Sequence, residues 1–369
     1  MNVHQQSIRP PTTQSDWATR TFELSGVNIE PISGTVLKDG LPVQEAALWR
    51  NGTMYRGGAC ELREPTQKLP GRHVWAGILF HHFGHFVTES VSRLWAVDNS
   101  FDSLIFVPKD MGRPVAYRLS GYQQELLARF GITCPVTIVT EPTQVETLVV
   151  PGQGYGLGEI SLGTPPFRTF VRKAGRDVPA AGERKLYLSR SGLPKKTGSF
   201  VGETAVEQNL AREGYRIYHP ERESITDQLA QYKAATHILG ADGSAFHLAG
   251  FVAEERQKVG VILRRSAADY KNIVNQMTGM GVTTEVLDHV RADWIRPGKS
   301  KPDDRSYGEL DSATLAQDLA DRGFIDRPSE WTPPDEKEVE AELAEVGLAH
   351  KGVMSRRPAG PAGPAPNLT

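Results

Sequence analysis

The spacing of hydrophobic and polar positions changes repeatedly along the chain and predicts alternating strands and helices. Residues 22–49 contain short alternating runs with glycine turns, a pattern typical of a few strands. From residue 72 onward, apolar runs of strand length alternate with helical spacing. The runs RHVWAGILF, DSLIFVP, PVTIVT and VETLVVPG predict strands, and GHFVTESVSRLWAV and AYRLSGYQQELLARFG predict helices. This alternation predicts a mostly parallel sheet.

The alternation restarts after a glycine-rich segment, PGQGYGLGEISLGTPP, which is too irregular for a helix or a strand. Between residues 184 and 290 the pattern predicts five strands and four helices, which together make one Rossmann-like half. The fold class we predict is therefore α/β, with two Rossmann-like lobes at residues 55–165 and 184–290. A ligand cleft is expected between the lobes.

The two ends of the chain look different from these lobes. Residues 1–54 are expected to form an N-terminal extension with short strands, loosely structured up to about residue 20. The stretch 291–369 is expected to be a helical extension, with surface helices in LDSATLAQDLADRGF and DEKEVEAELAEVG. Its end, SRRPAGPAGPAPNLT, has a Pro/Gly/Ala-rich composition that predicts disorder.

Composition and charge exclude several classes of protein. A content of 39% hydrophobic and 23% charged residues is typical of a globular protein. The net charge of -2 and the lack of a basic cluster argue against nucleic-acid binding. Cys60 and Cys134 are too few for a disulfide framework or a zinc ribbon. With no signal-like or membrane-spanning run, we expect a cytoplasmic protein, and peripheral contact with a membrane stays open.

The segment ILGADGSAFHLAGF predicts a strand, a tight turn and a helix. The small residues Gly243 and Ser244 allow close approach of a ligand, and free N–H groups at a helix start bind phosphate. His247, one helical turn further on, can donate to a phosphate or a sugar hydroxyl, and Asp242 can cap the helix or contact the ligand. The same small residues also suit a purely structural corner.

A second segment, KLYLSRSGLPKKTGSFVGE, delivers Arg190 at the carboxyl end of a strand, where ligands bind in open α/β sheets. Arginine can hold a diphosphate through two N–H bonds, and Lys195 and Lys196 follow in a loop as point charges. The alternative for the lysines is a solvated basic loop. Glu203 opens the next helix, where capping and ribose binding are equally consistent with its position.

The third segment, ILFHHFGHFVTESVSRLW, contains His81, His82 and His85. His81 and His85 have the spacing of metal ligands, but no glutamate stands between them and a strand-to-helix turn is expected there. His85, Glu89 and Arg93 are four apart on one predicted helix face, and a carboxylate beside an imidazole orients a general base. The alternatives are a core histidine among aromatic residues and a simple salt bridge between Glu89 and Arg93.

At these three segments the sequence resembles glycosyltransferase family 61, a family of capsular and exopolysaccharide biosynthesis. The resemblance rests on HHFGHFVTES with RLW, on the LSR strand with its Gly-Glu pair, and on EGYRIYHPERESITDQLAQYKAATHILGADGSAFHLAGF. It implies an inverting, GT-B-like transferase that uses a nucleotide sugar without a required metal. The last motif departs from the family, because Asp242 stands where histidine is usual and Leu248 where asparagine is usual.

The residues and the resemblance together predict a glycosyltransferase that moves sugar from a nucleotide sugar, expected to be UDP-linked, to a glycan or lipid-linked hydroxyl. We expect no metal and no further cofactor. His85 is the expected base and Glu89 its orienting carboxylate. The expected substrate and donor contacts are His81, His82, Arg190, Lys195, Lys196, Glu203, Asp242, Gly243, Ser244 and His247.

Two other functions stay open. Asp242 and Leu248 favour a non-catalytic nucleotide- or glycan-binding member of a polysaccharide-assembly complex. A metal-dependent hydrolase built on the histidines is the third option. Peripheral contact with the inner membrane or with an assembly complex is left open, and the sequence predicts no oligomeric state.

Overall fold

The computed structural model of the protein describes residues 8–267 and 270–359, which form two compact units. Unit 1 contains the described residues up to Val178 together with His247–Val252 and Asn275–Met280. Unit 2 contains Pro179–Phe246 and the described residues of Ala253–Val274 and from Gly281 onward. The predicted α/β class is confirmed, whereas the GT-B-like arrangement of two lobes stays a prediction.

Unit 1 is built on a mixed sheet of seven strands. The strands of unit 1 are β1 Thr21–Glu30, β2 Thr35–Lys38, β3 Leu41–Pro42, β4 Leu48–Arg50, β5 Thr53–Arg56, β6 Gln67–Leu79, β7 Ser103–Pro108, β8 Val136–Ile138 and β9 Thr143–Pro151. The sheet order is β3-β2-β1-β9-β6-β7-β8, and β4 and β5 form a separate hairpin. Strands β9, β6, β7 and β8 are parallel, and β1 is antiparallel to β9. The segment expected as an N-terminal extension therefore supplies three strands of the main sheet.

The helices of unit 1 are α1 Phe83–His85, α2 Gly121–Arg129 and α3 Pro165–Val171. The single helix predicted over GHFVTESVSRLWAV is wrong, because α1 passes into a π turn at Phe86–Ser90 and a 3-10 turn at Leu94–Ala96. Ser90 explains part of this change, since its hydroxyl donates to the Ile78 carbonyl and accepts from the Phe80 N–H. Those bonds tie the turn to the end of β6.

Unit 2 contains a parallel sheet of five strands, β10 Lys185–Leu188, β11 Arg216–Tyr218, β12 His237–Ala241, β13 Lys258–Ile262 and β14 Thr284–Leu287. Its order is β11-β10-β12-β13-β14. The helices of this stretch of the chain are α4 Glu203–Arg212, α5 Ile225–Ala234, α6 Ala245–Phe251 and α7 Lys271–Gly279. The five strands and four helices predicted from the sequence are all present.

The chain beyond this sheet is more ordered than its composition predicts. Helices α8 Ser312–Asp321 and α9 Glu336–Ala349 confirm the two expected helices. Strands β15 Val290–Ile295, β16 Tyr307–Leu310 and β17 Ser355–Pro358 form an antiparallel sheet that the pattern did not predict. The start of the tail, expected to be disordered, is thus strand β17, whereas residues 360–369 lie outside the described residues. Across the described part, no helix is long and apolar enough to cross a membrane.

Arg93 is a buried cation that ties together three parts of unit 1. It is 2% exposed and donates hydrogen bonds to the main-chain carbonyls of Ala47 and Pro151. Burial lowers its pKa to about 9. The guanidinium thus joins the chain before β4, the end of β9 and the turn that follows α1.

Replacing Arg93 by methionine should therefore destabilise the protein. The Arg93→Met variant leaves two buried carbonyls without their donor, and we expect a loss of about 2–4 kcal/mol in the free energy of unfolding. Urea denaturation of the variant and of Arg20→Met, which removes an exposed pair with Asp16, measures the difference. Equal stability of the two variants would contradict a joining role for Arg93.

Candidate active site

The first site lies in unit 1, where α1 passes into the π turn. The Nδ1 atom of His85 is 2.6 Å from Oε2 of Glu89. Glu89 is 2% exposed, whereas the His85 side chain is 37% exposed. The structure thus brings together the two residues that the sequence predicts as base and orienting carboxylate, although His85 ends α1 and Glu89 lies in the π turn, so that the two do not share one regular helix.

Arg50, at the end of β4, is the second partner of Glu89. Its Nε donates to Oε1 and its Nη2 to Oε2, each over 2.8 Å. The guanidinium also lies 3.8 Å from the ring centre of Tyr55. Arg93 was expected beside Glu89, but it donates to main-chain carbonyls instead, so the interpretation as a Glu89–Arg93 salt bridge is wrong.

These contacts decide the charge of Glu89 and the position of the hydrogen on the His85 ring. Burial raises the pKa of Glu89, but hydrogen bonds from His85 and Arg50 outweigh this effect and hold it below its usual value. Glu89 is therefore a carboxylate at neutral pH and can only accept hydrogen bonds. Nδ1 of His85 must carry the hydrogen, which leaves the lone pair of the neutral ring on Nε2. This is the arrangement of a general base.

The other two histidines of the segment lie in the turn before α1, as predicted. The main-chain carbonyl of His81 accepts a hydrogen bond of 2.9 Å from the Tyr122 hydroxyl. The Nε2 atom of the His81 ring has no hydrogen-bond partner among the described residues. His82 is exposed, and its ring centre is 5.2 Å from that of His85. Within residues 8–267 and 270–359, no three His, Cys, Asp or Glu side chains form a metal-binding group.

His247 belongs to unit 1 together with His85, and it is held by two residues that the sequence analysis did not single out. Its Nδ1 is 2.6 Å from Oε1 of Gln276, and the Tyr155 hydroxyl donates to the same oxygen over 2.6 Å. Burial is the main cause that lowers the pKa of His247 to about 4; the charge of His85 acts in the same direction, and the hydrogen bond to Gln276 opposes both. His247 is therefore neutral at physiological pH.

The second site lies in unit 2, at the carboxyl ends of three parallel strands. Arg190 follows β10, Asp242 follows β12, and Arg264 and Arg265 follow β13. The register aligns these ends, because Leu188 pairs with Gly240 and Ala241 pairs with Ile262. This edge is where open α/β sheets bind ligands.

Asp242 is occupied by its own neighbours in this cluster. Its Oδ1 accepts a hydrogen bond of 2.7 Å from the Arg264 N–H, and the Arg264 Nε donates to its carbonyl over 2.8 Å. Its Oδ2 lies 3.8 Å from Nη1 of Arg265. Because Asp242 is 4% exposed, we infer that it holds the two arginines in place rather than meeting a ligand itself.

Hydrogen-bond donors of a buried guanidinium group are open at this strand edge. Arg265 is 5% exposed, and its Nε and Nη1 atoms have no hydrogen-bond partner in the described part of the chain. Burial, and then the charge of Arg264, lower the pKa of Arg190 to about 10. Buried guanidinium groups with unsatisfied donors favour an anionic ligand, since an anion would supply both acceptors and charge.

Glu203 accepts a hydrogen bond from the main chain of Arg190 and holds it in place. Its carboxylate accepts hydrogen bonds from the Arg190 N–H over 2.8 Å, from the Tyr187 hydroxyl over 3.1 Å and from the Ser199 hydroxyl over 2.7 Å. The side chain is buried, and burial raises its pKa to about 6 despite these bonds. These contacts indicate a positioning role for Glu203.

The remaining predicted residues of unit 2 differ in how they are placed. Lys195 is paired with Glu342 over 2.9 Å, whereas Lys196 is exposed. Gly243 lies against the cluster, because a Cβ atom there would be 2.9 Å from Nη1 of Arg190. Ser244 precedes α6, which has only seven residues.

Five residues of the two sites were missed from sequence. For Arg264 and Arg265 a signal existed, since VGVILRR places two arginines after a predicted strand in the same way as KLYLSR places Arg190. Arg50 gave no such signal, because it lies 39 residues from Glu89. Tyr155 and Gln276 lie even farther from each other in sequence, and only the fold brings them to His247.

The comparison with known families is consistent with these sites. A family model described as Glycosyltransferase 61 matches residues 83–259, just under half of the chain. The match includes His85, Glu89, Arg190, Asp242 and His247. It indicates a glycosyltransferase. It also confirms the resemblance found in the sequence, because residues 83–259 match glycosyltransferase family 61. No curated protein matches the chain.

The ion pair of Glu89 with Arg50 should make stability depend on pH. Arg50→Met leaves a buried carboxylate without its main partner, and we expect a loss of about 3–5 kcal/mol at pH 7. The pKa of Glu89 is lowered from 4.5 in the folded protein, so the stability that its partners contribute is complete above pH 4.5 and is lost as the pH falls further. The difference in the free energy of unfolding between Arg50→Met and wild type should therefore become smaller below pH 4.5.

Urea denaturation between pH 7 and pH 3.5 measures this difference. Arg72→Met is the matched control, since Arg72 forms an exposed pair with Glu23 and should change stability by less than about 1 kcal/mol. A constant difference between Arg50→Met and wild type across this range would contradict the assignment of Glu89 as a paired carboxylate.

Proposed function

We propose that the protein is an inverting, metal-independent glycosyltransferase of the GT-B type. It would transfer a sugar from a nucleotide sugar, UDP-linked in our hypothesis, to a hydroxyl of a growing glycan or a lipid-linked acceptor in polysaccharide biosynthesis. The family match supports the transferase class. The observation that carries the mechanism is the hydrogen-bonded group of His85, Glu89 and Arg50.

In the proposed reaction His85 is the general base. The acceptor hydroxyl oxygen forms a bond to the anomeric carbon of the donor sugar while the bond from that carbon to the phosphate oxygen breaks. The hydroxyl proton passes to Nε2 of His85, and the ionised Glu89 stabilises the resulting imidazolium. Arg50 contributes indirectly, since its two hydrogen bonds keep Glu89 ionised. Attack opposite the leaving group inverts the anomeric configuration.

The leaving nucleoside diphosphate gains negative charge in this step. Arg190, Arg264 and Arg265 are suited to hold it, because their guanidinium groups cluster at one strand edge and donors of Arg265 are open. Guanidinium groups bind phosphate oxygens through paired N–H bonds, and fixed charges stabilise the developing anion without reorganising. This cluster is therefore our candidate site for the diphosphate.

His85→Ala should abolish most turnover while leaving the binding of nucleotide intact. Loss of a general base costs about 10²–10⁴-fold in rate, and we expect a fall in kcat of that size. Release of UDP, GDP or CMP from the corresponding nucleotide sugar, with and without a glycan acceptor, measures turnover. Calorimetric titration with the same nucleotides measures binding.

His289→Gln is the matched control for this experiment, since His289 lies in unit 2 and pairs with Asp318 over 2.9 Å. It should keep wild-type turnover. Equal loss of turnover and of nucleotide binding in His85→Ala would point to a folding role for His85. Tight binding of nucleotide by a wild-type protein that turns over no donor would favour the non-catalytic binding protein instead.

We expect the cluster of Arg190, Arg264 and Arg265 to bind inorganic pyrophosphate. Arg265→Gln removes a buried charge whose donors are open, and we expect the Kd for pyrophosphate to rise about 10–100-fold. Arg265→Lys keeps the charge but loses the paired N–H geometry, so its Kd should lie between those of Arg265→Gln and wild type.

Isothermal titration at low and at moderate salt measures these constants. Arg291→Met serves as the control, because Arg291 is an exposed arginine of unit 2 that pairs with Glu309. An unchanged Kd in Arg265→Gln would refute the assignment of the cluster to the diphosphate.

A further inference from the structure

The contacts of Gln276 fix the position of the hydrogen on the His247 ring. Nε2 of Gln276 donates to the main-chain carbonyl of His247 over 2.9 Å, so the other end of the amide is the oxygen. This oxygen lies 2.6 Å from Nδ1 of His247 and accepts from the Tyr155 hydroxyl. An amide oxygen cannot donate a hydrogen bond. Nδ1 of His247 must therefore carry the hydrogen and donate.

The other ring nitrogen is consequently a bare acceptor. With Nδ1 protonated, the neutral imidazole has its lone pair on Nε2, which has no hydrogen-bond partner among the described residues and is not enclosed by them. The sequence had suggested that His247 donates to a phosphate or a hydroxyl. The geometry shows the opposite direction: the Nε2 atom of the neutral His247 ring can accept a hydrogen bond.

Protonation of the ring would not restore a donor at neutral pH. His247 is 8% exposed and its partner is an uncharged amide, so nothing in this network compensates an imidazolium charge. His85 differs in this respect, because its partner is the carboxylate of Glu89. Of these two histidines of unit 1, only His85 has a partner that stabilises the proton.

We propose that Nε2 of His247 accepts a hydrogen bond from a hydroxyl of the sugar substrate and thereby selects and positions that sugar. A phosphate oxygen would face a lone pair and be repelled, whereas a sugar hydroxyl supplies the required hydrogen. This inference rests on the proposed function, and it makes His247 a residue of sugar specificity rather than of diphosphate binding. The hydroxyl can belong to the acceptor glycan or to the donor sugar.

Two substitutions separate this role from a purely structural one. In His247→Asn the side-chain amide replaces Nδ1, so it can still donate to Gln276 but offers no acceptor at the Nε2 position. In His247→Gln the side-chain oxygen can reach the Nε2 position, while the bond to Gln276 is lost. A role as acceptor predicts that His247→Asn loses more activity than His247→Gln, and a structural role predicts the opposite order.

Steady-state kinetics on the full-length chain tests the proposal. We expect kcat/KM of His247→Asn to fall about tenfold or more through a raised KM, with recovery in His247→Gln of most of the loss. A raised KM for the acceptor assigns the hydroxyl to the acceptor, and a raised KM for the donor assigns it to the donor sugar. His73→Asn is the control, because His73 is a buried histidine of unit 1 bonded to Ser103 and Pro70, and it should retain wild-type kinetics.

The opposite order of activities, with His247→Asn near wild type and His247→Gln impaired, would overturn the proposal. A second measurement keeps it separate from the proposed function. The ¹⁵N resonances of the His247 ring distinguish a protonated from a bare nitrogen, and a hydrogen on Nε2 at neutral pH would refute the inference whether or not the protein transfers sugar. If the wild-type protein transfers no sugar, the proposed function fails. A bare Nε2 whose resonance shifts on titration with methyl glycosides would still support the sugar contact, and no shift would count against it.

Discussion

The buried carboxylate of Glu89 is the charge on which the organisation of the unit 1 site depends. An isolated carboxylate in this position would cost several kcal/mol, so the surrounding fold must provide cations or donors for it. Arg50 does so from the β4–β5 hairpin, and His85 does so from one turn earlier in the same segment. The pairing has a chemical consequence as well, because it fixes the hydrogen of His85 on Nδ1. One interaction therefore secures the hairpin against the turn and prepares His85 for the role of base that we propose.

In unit 2 the roles are reversed, because the guanidinium groups of Arg264 and Arg265 gather around the carboxylate of Asp242. A buried cation with open donors is unfavourable in the free protein. A ligand can remove such a cost, and charged groups with perturbed pKa values cluster at functional sites. Asp242 holds Arg264 and Arg265 in place and so has a physical role, although it departs from the histidine usual in the family.

The sequence allowed much of unit 2 to be predicted, and less of unit 1. In strands β10, β12 and β13 every residue after the first is buried, and predicted helices separate the strands, so their pattern could be recognised. The π turn after α1 was not predictable, since it depends on bonds from Ser90 to β6 and from Arg93 to distant carbonyls. Strand β17 has no apolar pattern, because all four of its residues are exposed. Pairs such as Arg50 with Glu89 are likewise invisible without the fold.

The two histidines of unit 1 illustrate why residue type alone could not assign their roles. Both rings have their Nδ1 engaged by a side-chain oxygen, and both present Nε2. The oxygen of Glu89 belongs to a carboxylate, which stabilises a proton gained by His85, whereas the oxygen of Gln276 belongs to an amide, which does not. A carboxylate partner stabilises the charge that a ring gains with a proton, and an amide partner does not, so the neutral His247 ring offers only an acceptor at its Nε2. The difference between the base and the specificity contact that we propose therefore lies in the second residue of each pair, and Gln276 stands 29 residues beyond His247.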